Sequence, residues 1–346
     1  MLTKTKRNLL TIGALAAGPL FAGATAAQAA TINGAGATFP YPIYSKWFQA
    51  YRQVSPSTTL NYQPVGSGAG YAQYKAGTVF FGASDAPLTN AERAAVPGTV
   101  HIPTVAGAIV LAYNVPGIGP GLRLSGDTIA DIYLGKIKSW NDPRIQKLNP
   151  ALNLPARNIT VAHRADGSGT TYIFTHYLAA VSPAWKSRVG AGKSVSWPVG
   201  LGANGNPGVA GLIRNSPGTI GYIELAYAVQ NRLSYGPVRN RAGNFVLANT
   251  ASTQAAASQG AARMAKDVRV SVVNGGGRNT YPIVGFTYLL VPKKPKDTAR
   301  GREMVSFLRW AMGPGQGMAE SLLYAPLPTS VIRINERAIA GIQSGR

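Results

Sequence analysis

Residues 102–113 read IPTVAGAIVLAY and residues 281–292 read YPIVGFTYLLVP, two long apolar extended runs far apart in the chain. Each predicts a strand, and together they bracket a middle segment, 106–284, that carries strand and helix patterns of its own. A chain that enters a segment along one strand and leaves it along another is expected to form two lobes joined by a two-stranded hinge. The implied division is a signal segment 1–29, a discontinuous lobe I of 30–105 plus 285–346, and a lobe II of 106–284.

Outward from those runs the pattern alternates. Tyr44, Trp47, Phe48 and Tyr51 have helical spacing and predict a helix over 42–51. Residues 59–62 predict a short strand, 66–70 a Gly/Ser turn, 71–76 a short helix, and 79–83 (VFFGA) a buried strand. Helices are expected over 127–134, 171–181 and 304–312, the last ended by Gly313-Pro314-Gly315, and a strand over 219–223. The small polar stretch 249–260 (NTASTQAAASQG) reads as a surface loop or frayed helix. Strand–helix alternation argues for an α/β fold.

Composition narrows the function classes. The 346 residues are 45% hydrophobic, which excludes an intrinsically disordered chain, and they include no Cys and three His. A disulfide framework, thiolate catalysis and Cys-ligated metals are thereby excluded, and a polyhistidine metal site is not expected. Lys plus Arg number 34 against 12 acids, a net charge of +22 that implies an anionic partner without naming one. Residues 1–29 open with Lys4, Lys6 and Arg7, continue apolar from Leu9, and end Ala27-Gln28-Ala29, the pattern of a cleaved secretory signal peptide. Gly18-Pro19 argues against a continuous membrane helix there, and the missing Cys excludes a lipid anchor. Cleavage would leave 317 residues with a net charge of +19.

Three loops share one chemical theme. They are Gly34-Ala35-Gly36-Ala37-Thr38-Phe39-Pro40, Gly66-Ser67-Gly68-Ala69-Gly70 and Arg164-Ala165-Asp166-Gly167-Ser168-Gly169-Thr170. Each supplies a hydroxyl near a predicted helix start, with glycine permitting close backbone approach. Helix amino ends expose unpaired N–H groups and a partial positive charge, so they suit oxyanions. Any one loop is explained by an ordinary N-cap; three in one chain point to a shared site. No two of the 12 acids lie within three residues of each other, so a local calcium loop or paired-acid motif is absent. Asp85 follows an apolar strand in FGASDAPLT, where a turn or cap is its ordinary reading, and Asp166 stands two residues after Arg164, placed to orient the guanidinium.

The segments GAGATFP (34–40), VGSGAG (65–70), FGASDAPLT (81–89), ADIYLGKIKSWNDP (130–143), RADGSGT (164–170) and YAPLP (324–328) closely resemble the periplasmic phosphate-binding proteins of phosphate ABC transporters. The likeness runs from about residue 33 to residue 332, with the motifs in the family's order. It implies a two-lobed class II periplasmic binding fold that closes on its ligand like a hinged clamp. By the same resemblance Thr38, the Phe39 backbone N–H, Ser67, Asp85, Arg164, Ser168, Gly169 and Thr170 would contact phosphate, and Asp166 would steady Arg164. The implied protein is a monomeric, periplasmic, non-enzymatic receptor without a cofactor or metal, delivering phosphate to membrane permease subunits.

Three other classes rank lower. A secreted phosphatase or serine hydrolase would need a base beside a Ser, and His163 next to Arg164 is the one nearby. A nucleotide-binding P-loop at 189–194 lacks the required first glycine, since Ser187 holds that position. A polyanion binder would need clustered cations and a stacking platform. The basic residues are instead scattered, Lys293-Lys294-Pro295-Lys296 being the densest group.

Overall fold

The computed structural model describes residues 1–3 and 30–344, so the signal peptide expected over 1–29 lies, beyond its first three residues, outside the described residues. From the amino end the elements run β1 (Ala30–Gly36), α1 (Tyr41–Val54), β2 (Thr58–Gln63), α2 (Ser67–Ala76), β3 (Phe81–Ser84), α3 (Asn90–Ala95) and β4 (Thr99–Asn114). Next come α4 (Gly126–Tyr133), α5 (Pro143–Leu148), β5 (Thr160–Arg164), α6 (Gly169–Val181), α7 (Pro183–Arg188), β6 (Leu201–Ala203), α8 (Gly205–Asn215) and β7 (Thr219–Glu224). The rest are α9 (Leu225–Gln230), β8 (Ser234–Tyr235), β9 (Val238–Arg239), β10 (Phe245–Val246), α10 (Thr250–Met264), β11 (Val284–Pro292), α11 (Thr298–Met312) and α12 (Thr329–Ala340).

The strands follow the order β2-β1-β3-β11-β4-β7-β5-β6, with β8 alongside β4. Parallel pairs occupy both flanks, β1 with β2 and β3, and β5 with β6 and β7, while β11 and β4 run antiparallel through the middle. The first part of β4 pairs with β11 up to Ala108 opposite Val284; from Ile109, opposite Glu224, it pairs with β7 instead. One 16-residue strand therefore belongs to both halves of an α/β fold of class II type with two lobes. Its long apolar run follows from this position, because β4 is buried along nearly its whole length.

Local packing explains where expectation and structure part. The aromatic stripe of α1 buries Tyr44, Trp47 and Tyr51, and Trp47 donates to the Gly315 carbonyl at 2.7 Å. The strand over 30–36 was not foreseen, and the Gly/Ser stretch 67–70 is the first turn of α2, not a turn preceding it. Both elements depend on close approach: a Cβ on Gly70 would stand 2.2 Å from the Gly36 Cα. The buried strand expected over 79–83 lies at Phe81–Ser84. Residues 250–264 form a full helix, capped reciprocally by Asn249 and Ser252 and burying Ala256, Ala257 and Met264. The helix expected over 304–312 begins earlier, at Thr298 with Asp297 as its cap.

Candidate functional site

The amino ends of four helices meet between the two lobes. Thr38 and Phe39 join β1 to α1, Ser67 opens α2, Ser168 caps α6 whose first turn holds Gly169 and Thr170, and Asn206 lies in the first turn of α8. Such ends carry N–H groups without intrahelical partners and a partial positive charge. Thr38, Phe39, Ser67, Asp85, Arg164, Ser168 and Thr170 are each at most 3% exposed.

The lobes are bonded to each other here. The Gly68 N–H donates to the Gly167 carbonyl at 2.8 Å, and the Gly169 N–H donates to Ser67 Oγ at 3.0 Å. Tyr227 donates to the Thr38 carbonyl at 2.6 Å, and Lys193 forms an ion pair with Glu92. Gly66 makes this approach possible: with φ at 93° it adopts a conformation that favours glycine, and a Cβ there would lie 2.2 Å from Asp166 Oδ2.

Arg164 ends β5 with its guanidinium forked onto Asp166, Nε to Oδ1 at 2.6 Å and Nη2 to Oδ2 at 2.5 Å. Nη1 donates to Thr170 Oγ1 at 3.3 Å. Burial alone would raise the Asp166 pKa, but the Arg164 hydrogen bonds and charge, with the Gly205 N–H at 3.0 Å, hold it below the ordinary value. Asp166 thus stays ionised and fixes the plane of the guanidinium.

Asp85 sits at the end of β3 in the opposite situation. It is 2% exposed and neither carboxylate oxygen has a hydrogen-bond partner. Burial pushes its pKa up to about 7, against the opposing pull of the Thr287 hydroxyl and the Arg164 charge. Thr287 Oγ1 is also without a partner, so its geometry makes it a nearby dipole and not a formed hydrogen bond. A Cβ on Gly169 would stand 2.5 Å from Asp85 Oδ2 and 2.6 Å from Ser67 Oγ, so only glycine brings α6 this close.

A carboxyl with a raised folded pKa keeps its proton longer in the folded chain than in the unfolded one. Its penalty is absent below about pH 4 and grows as pH rises towards 7. Ligand-free Asp85→Asn is therefore expected to melt several degrees above the wild type at pH 8, with the gap closing towards pH 4. Scanning calorimetry at both pH values checks this, and a pH-independent gap would contradict it.

All eight residues singled out in the sequence, with Asp166, fall into this one buried cluster. Ser168 is used differently from the others: its Oγ accepts from the Thr171 N–H at 3.0 Å as the cap of α6, and its own N–H donates to the Lys193 carbonyl at 2.9 Å. The hydrolase alternative finds no support in His163, which stacks on Trp197 at 4.8 Å and has its basicity lowered by burial. The 189–194 loop is bonded to α6 through Gly192 and Thr175, and its Lys193 reaches across to Glu92. Among the described residues, no group of three or more His, Asp or Glu is placed to hold a metal ion, and no helix is long and apolar enough to cross a membrane.

Sequence reading missed Asn206, Glu224 and Tyr227, all buried against the site. Asn206 follows Gly202-Ala203-Asn204-Gly205, a fourth small-residue stretch entering a helix, which differs from the other three in carrying no hydroxyl.

Residues 22–314 match the family model described as the PBP superfamily domain. The chain is 45% identical to phosphate-binding protein PstS of Haemophilus influenzae over 307 residues, 88% of this chain and 91% of that one. It is 44% identical to phosphate-binding protein PstS of Xylella fastidiosa over 303 residues, 87% of this chain and 83% of the other. A solved structure of a high-affinity periplasmic phosphate-binding protein with bound phosphate superposes with a TM-score of 0.70 at 21% identity, covering 92% of this chain and 99% of that one. The family model covers most of the chain and the identity holds over most of both chains, so the chain belongs to the PstS family of phosphate-binding proteins within the PBP superfamily.

Proposed function

We propose that this protein captures inorganic phosphate between its two lobes and delivers it to a membrane ABC importer, without catalysing a reaction. The observation that carries this reading is Asp85, a buried carboxylate with two unpartnered oxygens set among hydrogen-bond donors. Phosphate near neutral pH retains at least one proton and donates it to Asp85. Sulfate has none and would bring only acceptors to an acceptor. Arg164 supplies the full positive charge, while Thr38, Ser67, Ser168 and Thr170 supply hydroxyls. The N–H groups of Phe39 and Thr170 complete the donor set, while the Gly169 N–H, matched to the ligand by resemblance, is engaged by Ser67 Oγ and holds that hydroxyl.

The lobes divide at 105/106 and 284/285 in this reading, supported by the change of β4 pairing from β11 to β7 just beyond Ala108. Opening at these two strands would release the anion. The receptor acts as a monomer in the periplasm, freed by cleavage after Ala29, and docks on permease subunits.

Calorimetric titration with phosphate, arsenate, sulfate and molybdate tests the reading. One phosphate per chain is expected, with arsenate competing because it keeps the same protons, and no measurable sulfate or molybdate binding. Absence of phosphate binding would overturn it.

A further inference from the structure

Asn206 is fully buried in the first turn of α8 and touches three parts of the clamp at once. Its backbone N–H donates to Thr38 Oγ1 at 3.1 Å and its side-chain Nδ2 donates to the same oxygen at 2.9 Å. Nδ2 also donates to Thr170 Oγ1 at 3.2 Å, and Oδ1 accepts from the Glu224 N–H at 3.0 Å. A backbone N–H only donates, so the Glu224 contact fixes which end of the amide faces which way: Oδ1 towards β7, Nδ2 towards the two threonines.

A hydroxyl has two acceptor positions and one donor hydrogen. Asn206 fills both acceptor positions of Thr38 Oγ1. At Thr170 Oγ1 they are filled by Asn206 and by Arg164 Nη1, the latter at 3.3 Å. Each hydroxyl then has only its hydrogen left to offer. Ser67 Oγ follows the same rule, accepting the Gly169 N–H at 3.0 Å and, more weakly, the Asp85 N–H at 3.4 Å.

Resting on the phosphate reading above, we infer that Asn206 is a positioning residue that fixes Thr38 and Thr170 as hydrogen-bond donors, one in each lobe. It thereby makes both threonines present donors to an oxyanion, in contrast to the acceptor at Asp85. A hydroxyl free to turn would accept a proton from the ligand as readily as give one, and would blur the distinction between a protonated and a proton-free oxyanion. Because Asn206 bonds Thr38 across the cleft, the polarity is set only when the lobes close. The charged and titratable groups around it are Arg164 and Asp166 before α6, Glu224 at the end of β7, Tyr227 in α9 and Asp85 at the end of β3.

The test compares Asn206→Asp and Asn206→Ala with wild type by phosphate calorimetry between pH 5 and 8. Asn206→Asp turns the donor into an acceptor, so Thr38 donates to the new carboxylate instead of to phosphate. A loss of roughly 100-fold or more is expected at pH 8. Protonation of that carboxyl at lower pH restores a donor, so the ratio of variant to wild-type Kd falls towards pH 5. Asn206→Ala removes the Nδ2 donor and, with Oδ1, the acceptor of the Glu224 N–H, but introduces no titrating group, so its loss, about 10-fold, stays level with pH. Equal, pH-independent losses in both variants would mark a merely structural residue and overturn the inference. So would Asn206→Asp binding within about threefold of wild type at pH 8. If neither variant folds, neutron diffraction of the wild-type phosphate complex decides. Hydrogens on Thr38 Oγ1 and Thr170 Oγ1 pointing at phosphate oxygens support the inference, and either one pointing at Asn206 overturns it. Wild-type protein that binds no phosphate overturns the functional reading and this inference with it, whereas intact wild-type binding with silent variants overturns this inference alone.

Discussion

Arg164→Ala is expected to weaken phosphate binding by roughly 30- to 5,000-fold, the equivalent of about 2–5 kcal/mol for truncating one member of a buried charged pair. Two losses combine. The ligand forfeits its one fully charged donor, and Asp166 is left half-buried with both of its guanidinium bonds gone. Arg164→Lys should recover only part of the affinity. A lysine ammonium is a compact point charge and cannot fork onto Asp166 while also facing Thr170 and the anion. Calorimetry on the three proteins checks this, and a loss under about threefold in Arg164→Ala would contradict the assignment of the cation.

The second large effect is on selectivity. In wild type a proton-free oxyanion faces an unpaired buried carboxylate, at a cost of about 1–3 kcal/mol for the unsatisfied group and more for like-charge contact. Asp85→Asn replaces that acceptor with an amide whose nitrogen donates. Phosphate affinity should fall modestly while sulfate affinity rises, shrinking the phosphate-to-sulfate preference by about two orders of magnitude. Competition binding with both anions measures it. An unchanged preference would mean that Asp85 does not discriminate by proton.

Much of this was legible because it sits in residues whose chemistry is specific. The apolar runs at 102–113 and 281–292 became β4 and β11, since strands buried along their length need continuous apolar sequence. RADGSGT carried the guanidinium, its acid and a helix amino end in seven consecutive residues. The first turn of α2 was not legible: Ser67-Gly68-Ala69-Gly70 has poor helix propensity, and its helical form rests on packing against Gly36, which is tertiary information. β1 was hidden for the same reason, since its ATINGAG becomes a strand between β2 and β3. Residues 249–260 read as a surface loop or frayed helix because small residues give no apolar stripe, yet a helix runs from Thr250 to Met264 and packs Ala256 and Ala257 closely in the core. Asn206 escaped because its role depends on the direction of an amide between Thr38, Thr170 and Glu224, which only the folded chain brings together.

The strong positive charge proved a poor guide to the site. Among the described residues Arg164 is the one basic side chain placed among the ligand candidates, and Asp166 balances it. Discrimination is left to neutral donors and one carboxylate.

The central claim is that Asp85 receives a proton from the bound anion, and an atomic-resolution structure of the phosphate complex tests it most directly. The account predicts an oxygen–oxygen contact between Asp85 and phosphate of about 2.5–2.7 Å, with every other phosphate oxygen contact coming from a donor. Phosphate bound with Asp85 turned away from it, or separated from it by a cation or a water, would contradict the account.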